Sequence, residues 1–69
     1  MPLTMADAGA VQTIKTVRGK DQTRRFLAGL GFVEGADVTI VSAAGGNLIV
    51  NIKDSRVAIS QSMAARIMV

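Results

Sequence analysis

Apolar and polar residues alternate with a period of two through much of the C-terminal half of the chain. Val38 and Ile40 alternate with Thr39 and Val41. Leu48, Val50 and Ile52 share one face of a second run, and Asn47, Ile49 and Asn51 share the other. Period two places successive side chains on opposite faces of a strand. "AAGG" forms the loop between these runs, and "KDSR" at 53 to 56 reads as a tight hairpin, with Asp54 in a left-handed conformation. The return strand, "VAIS", turns Val57 and Ile59 inward. Ser60 is a natural N-cap for a last helix, "QSMAARIM", whose apolar side is Met63, Ala64, Ile67 and Met68. Near the other end, "VQTIKTVR" at 11 to 18 is rich in β-branched residues and predicts a strand. Its apolar spacing of three (Val11, Ile14, Val17) fits strict alternation badly and points to a bulge or bend.

Between these β segments lies "RRFLAGLGFVEG", residues 24 to 35. Asp21 is placed to cap a short helix. Phe26, Leu27 and Leu30 make its apolar face. Gly31 suits the left-handed residue that ends it, which brings Phe32 back onto Leu27. Gly35 supplies the next turn, and Arg24 and Arg25 face solvent near the helix start. The elements predict a mainly β fold with short helices. The fold expected is a small SH3-like β-barrel of about five strands, closed or nearly so. It has a helix between the first and second major strands, a short C-terminal helix, and a terminal segment supplying the remaining strand. Residues 1–69 are expected to form one domain with a thin core, since a chain this short buries only about 60% of its unfolded surface.

Composition narrows the chemistry. The chain has no cysteine and no histidine. Disulfides, thiolate metal sites, the commonest metal ligand and the usual general base near neutral pH are therefore missing. Hydrophobic residues make up 49%, which argues against disorder. The longest uncharged run, Val38 to Ile52, falls short of the roughly 20 apolar residues of a spanning helix. "MPLTMADAG" has no basic region and meets Asp7, unlike a secretion signal, so a soluble cytoplasmic protein is expected. The formal charge of +3 is unevenly spread. Lys15, Arg18, Lys20, Arg24 and Arg25 against Asp21 leave +4 in residues 15 to 25, and the remainder carries −1. Such a patch suits phosphates, anionic lipid headgroups or an acidic protein face.

The order of motifs resembles a known family. "LGFVEGADVTIV", then "GGNLIVNI", then "SRVAISQSMAARIMV" are similar to the FeoA family, the small ferrous iron transport protein A of bacteria. The likeness runs from "PLTMADAG" to the terminal "IMV"; glycine is more usual in the hairpin where this chain has Asp54. The resemblance implies an SH3-like barrel with added helices. It also implies a cytoplasmic accessory role beside FeoB, the membrane protein with a GTP-binding domain that carries Fe(II) inward, with the membrane met only through that partner.

Read for chemistry, the residues offer no enzyme. A nucleophile would have to be serine or threonine activated by lysine or a carboxylate, and Ser42, Ser55, Ser60 and Ser62 have turn, strand-end or cap roles. "AAGGN" lacks the lysine and hydroxyl of a P-loop. No cofactor and no metal site is expected, because Asp7, Asp21, Glu34, Asp37 and Asp54 follow no ligand-like repeat. Only Glu34 and Asp37, flanking the turn at Gly35, are spaced to hold a hard cation weakly. Non-specific nucleic-acid binding is the alternative function, but aromatics are only 3%, and both phenylalanines are expected inside. A protein-interaction module remains, with Arg24, Arg25, Leu27 and Leu30 as candidate partner-binding residues. Two arrangements are open: Leu27 or Leu30 stays accessible in a cleft between helix and barrel, with the arginines steering an acidic partner, or the whole apolar stripe packs inward.

Overall fold

The computed structural model describes residues 1–69. Leu3–Met5 forms a single 3-10 turn. The elements that follow are β1 (Val11–Thr13), β2 (Thr16–Val17), α1 (Asp21–Gly29), β3 (Asp37–Ala44), β4 (Asn47–Ile52), β5 (Ser55–Ser60), α2 (Gln61–Ala64) and β6 (Ile67–Met68). The alternating run from residue 37 makes an antiparallel sheet in the order β1-β3-β4-β5. Its inner face carries Val38, Ile40, Leu48, Val50, Ile52 and Ile59, all buried. Between Ile40 and Ser42 the β3–β4 register shifts by one residue, leaving Val41 as a bulge that adds local twist. Gly45 and Gly46 turn β3 into β4 with φ of 58° and 81°. Lys53 and Asp54 turn β4 into β5 with φ of 49° and 62°. Positive φ at both central residues is the type I′ turn that matches the twist of paired strands.

The spacing of three in residues 11 to 18 has a specific cause. The Ile14 amide donates to the Ala36 carbonyl at 2.9 Å, whereas the Lys15 amide donates to the Met68 carbonyl at 2.7 Å. The chain changes hydrogen-bonding partner there, so β1 pairs with β3 and β2 pairs with β6. Ile14 lies at the bend and is buried. The bend expected from the spacing of three therefore divides the strand of residues 11 to 18 into two short ones, β1 and β2. It also joins the two sheets into an SH3-like barrel that no closing row of hydrogen bonds seals.

The last helix is shorter than expected. It stops at Ala64, and Ile67 and Met68 form a strand opposite Val17 and Thr16. Backbone pairing from both sides wins over helical continuation: β2 binds one edge of β6, and the N-terminal residues meet the other. Pro2 bridges Met68, and the Val69 amide donates to the Met1 carbonyl at 2.8 Å. Ser60 does cap α2, its hydroxyl accepting from the Met63 amide at 3.3 Å. Thirteen residues are buried, all of them apolar, and they form one cluster drawing on both chain ends, from Leu3 to Val69.

Candidate functional site

Helix α1 sits in the connection between β2 and β3 and is held by its C-terminal half. Its end is a Schellman motif. The Phe32 amide donates to the Leu27 carbonyl, and the Gly31 amide donates to the Ala28 carbonyl, each at 3.0 Å. Gly31 has φ of 106°, a conformation that disfavours a side chain. Phe32 and Leu27 are buried together in the core. At the other end, Lys20 occupies the cap position and provides no side-chain hydrogen bond, so Asp21 is not the N-cap. Asp21 is the first helical residue, and its carboxylate meets Arg24 at 3.5 Å in the protein's single ion pair. Both groups are largely exposed, so the pair adds well under about 1 kcal/mol. It still offsets part of the unfavourable field that a cation meets near a helix N-terminus.

The four candidate residues do not share one surface. Arg24 and Arg25 are exposed. Leu30 is half-buried and leans on the core. Leu27 has no exposed area, which removes it from any surface site; it anchors the helix instead. Phe26, expected inside with Phe32, is 54% exposed. Successive helical residues point 100° apart, so a core this thin covers position 27 and leaves position 26 outside. Phe26 and Leu30 are spaced i, i+4 and are therefore neighbours on one flank of α1. Phe26 is the residue that sequence reasoning missed. The signal was present: two bulky apolar residues side by side on a short helix of a small domain cannot both be covered.

A cleft between helix and barrel does exist, with a different lining from the one expected. It is a shallow groove of about 190 Å³ on the other flank of α1, lined by Val17, Ala28, Phe32 and Val33 with Arg24 and Glu34. Neither Leu27 nor Leu30 lines it. Glu34 and Asp37 also part company. Asp37 belongs to a wide, open groove of about 760 Å³ on the outer sheet face, where Asp54, Lys53 and Arg56 balance its charge. The Asp37 carboxylate accepts from the Thr13 hydroxyl at 3.3 Å. No three acidic side chains gather within reach of one ion. The serine hydroxyls engage one another and the α2 cap: Ser60 and Ser62 lie 3.1 Å apart. The surface thus offers an apolar strip, Phe26 and Leu30, beside exposed cations.

Comparison with known proteins agrees with the SH3-like fold. FeoA from Stenotrophomonas maltophilia was solved in complex with zinc and described as a prokaryotic SH3 domain protein. It is 28% identical, with 99% of this chain and 87% of that one covered and a TM-score of 0.85. The solution structure of FeoA from Chlorobium tepidum is 27% identical, covering 99% of this chain and 67% of that one, with a TM-score of 0.89. A crystal structure of an iron uptake regulatory protein, FeoA, superposes with a TM-score of 0.90 over 99% of this chain and 92% of that one. Its 23% identity shows the fold alone. No curated protein matches the chain by sequence. The FeoA domain family matches residues 1–69, and the chain therefore belongs to the FeoA family of small SH3-like proteins associated with ferrous iron transport.

Proposed function

We propose that this protein is a cytosolic accessory factor of bacterial ferrous iron uptake that acts by contact with the cytoplasmic side of the FeoB transporter. Membership of the FeoA family supports the pathway. The S. maltophilia relative has been put forward as a ferrous iron transport activating factor, which supports a regulatory role. The observation that carries the reading is Phe26, more than half exposed on a helix that Leu27 and the Schellman end hold rigid. An aromatic ring on a preorganised element loses little conformational freedom on docking, and such residues dominate interface energies. Leu30 extends the apolar strip, and Arg25, adjacent to Phe26 in the helix, draws an acidic partner surface towards it, while Arg24 lies on the other flank. Leu27 serves the site by positioning these neighbours. Iron in this reading is the transporter's cargo; the scattered carboxylates of this chain are a poor set for gripping it. No helix is long and apolar enough to cross a membrane.

The test is pull-down of the transporter's soluble GTP-binding domain, with and without nucleotide, by the parent protein, Phe26→Ala and Leu30→Gln. Each substitution is expected to weaken binding about tenfold or more. Undiminished binding by folded variants removes this flank from the interface. A parallel titration with single-stranded RNA and DNA is expected to show no association at physiological salt; salt-sensitive binding to either would favour the nucleic-acid alternative instead.

A further inference from the structure

The barrel gathers cations that are far apart in the chain. The β2–β6 register pairs Thr16 with Met68 and Val17 with Ile67. The next pair in that register sets Arg18 directly opposite Arg66, and the Arg18 amide donates to the Arg66 carbonyl at 2.7 Å. Like charges placed opposite each other across strands repel. No acid lies within ion-pair distance of either. Between them, Gly19 takes φ of 120°, and a Cβ there would lie 3.0 Å from Arg66 Nη1 and 3.3 Å from its Cδ. The Arg66 side chain therefore lies flat across the turn that leads to Lys20. Arg24 links this corner to α1, since it lines the groove shared with Thr16 and Val17 as well as the one shared with Arg25. Counted along the segments that meet here, Lys15, Arg18, Lys20, Arg24, Arg25 and Arg66 against Asp21 and Glu34 sum to +4. Lys53 and Arg56 against Asp7, Asp37 and Asp54 leave the rest at −1.

We infer that this β2–β6 corner is a second interaction surface, which lays the protein against anionic lipid headgroups. The cations there are exposed, and no acid but Asp21 pairs with any of them. The Arg18–Arg66 corner holds no deep pocket and no exposed ring: Phe32 is buried, and Phe26, which follows Arg25, is turned about 200° around α1 from Arg24. Base stacking has nothing to use at this corner. A flat, diffuse array of phosphates needs only point charges, each worth about a fivefold gain in partition near an anionic surface. The choice of a bilayer over a free polyanion rests on the transporter reading, which places the protein beside a membrane. The apolar strip on the other flank stays free for the transporter.

Sedimentation with vesicles, without any transporter present, tests the inference. The probes are vesicles of phosphatidylcholine alone and vesicles of phosphatidylcholine mixed with phosphatidylglycerol. Binding is expected only to the mixed vesicles, falling as salt is raised. Arg18→Gln with Arg66→Gln is expected to weaken it roughly 25-fold, from two such contributions. Lys53→Gln with Arg56→Gln, which removes the same charge from the sheet face, is expected to leave binding in place. Equal loss from both pairs would show that net charge alone acts, and would overturn the assignment. So would the absence of binding to mixed vesicles, or tighter binding to an RNA oligonucleotide at the same salt. Leu30→Gln is expected to bind vesicles normally. Failure here and failure of the transporter pull-down are thus separate results.

Discussion

Replacing Leu27 by alanine separates the anchor of α1 from its exposed strip. Leu27 is fully buried, and its carbonyl accepts the Phe32 amide that closes the helix. Truncation removes the methyl groups that fill the space under α1. The cavity cannot collapse freely, because Phe32 and the Schellman end hold the backbone in place. Such substitutions cost about 2–5 kcal/mol, and a value near 3 kcal/mol is expected here. A domain of this length has roughly 3.5–10 kcal/mol of stability in total. At about 4–8 °C per kcal/mol, the melting temperature should fall by roughly 12–24 °C. Far-ultraviolet circular dichroism is the suitable probe, since the chain has neither tryptophan nor tyrosine. Phe26→Ala is the control. Its ring is more than half exposed, and alanine favours the helix, so the net change should stay below about 1 kcal/mol. If Leu27→Ala melts within a few degrees of the parent while Phe26→Ala melts far lower, the helix is rotated from the orientation described here.

Two further substitutions probe the backbone. Gly31→Ala puts a side chain at φ of 106° with its Cβ 3.3 Å from Ile52 Cγ1, and should cost about 2 kcal/mol by urea denaturation. Gly45→Asn, at φ of 58° in open space, should change the unfolding free energy by less than about 0.5 kcal/mol. Joining Lys53→Asn with Asp54→Gly supplies the residues a type I′ turn favours and should stabilise the protein by about 1 kcal/mol in thermal melts.

Features set by neighbours in the chain were legible before the structure. The alternation in 47 to 52, the tight turn at 53 and 54, the cap at Ser60 and the helix end at Gly31 all depend on residues within one turn or one hairpin. Arg24 and Arg25 lie on the surface, as their charge on a short amphipathic helix predicts. The misreadings share a different origin. Asp21 has the chemistry of a cap, but the path of the chain from β2 puts Lys20 at that position. Ile67 and Met68 carry a helical apolar pattern, yet they pair with Val17 and Thr16, some fifty residues away, and those partners decide their form.

Local propensity and pattern thus determined the strand faces, the turns and the limits on chemistry, because those depend on side-chain type and short-range geometry. The tertiary structure alone decided which of Phe26 and Leu27 faces water, where residues 11 to 18 bend, and that Arg66 joins Arg18. Each of these outcomes depends on how much surface a thin core can cover, and on hydrogen bonds between segments distant in sequence. Neither quantity is written in any short window of residues.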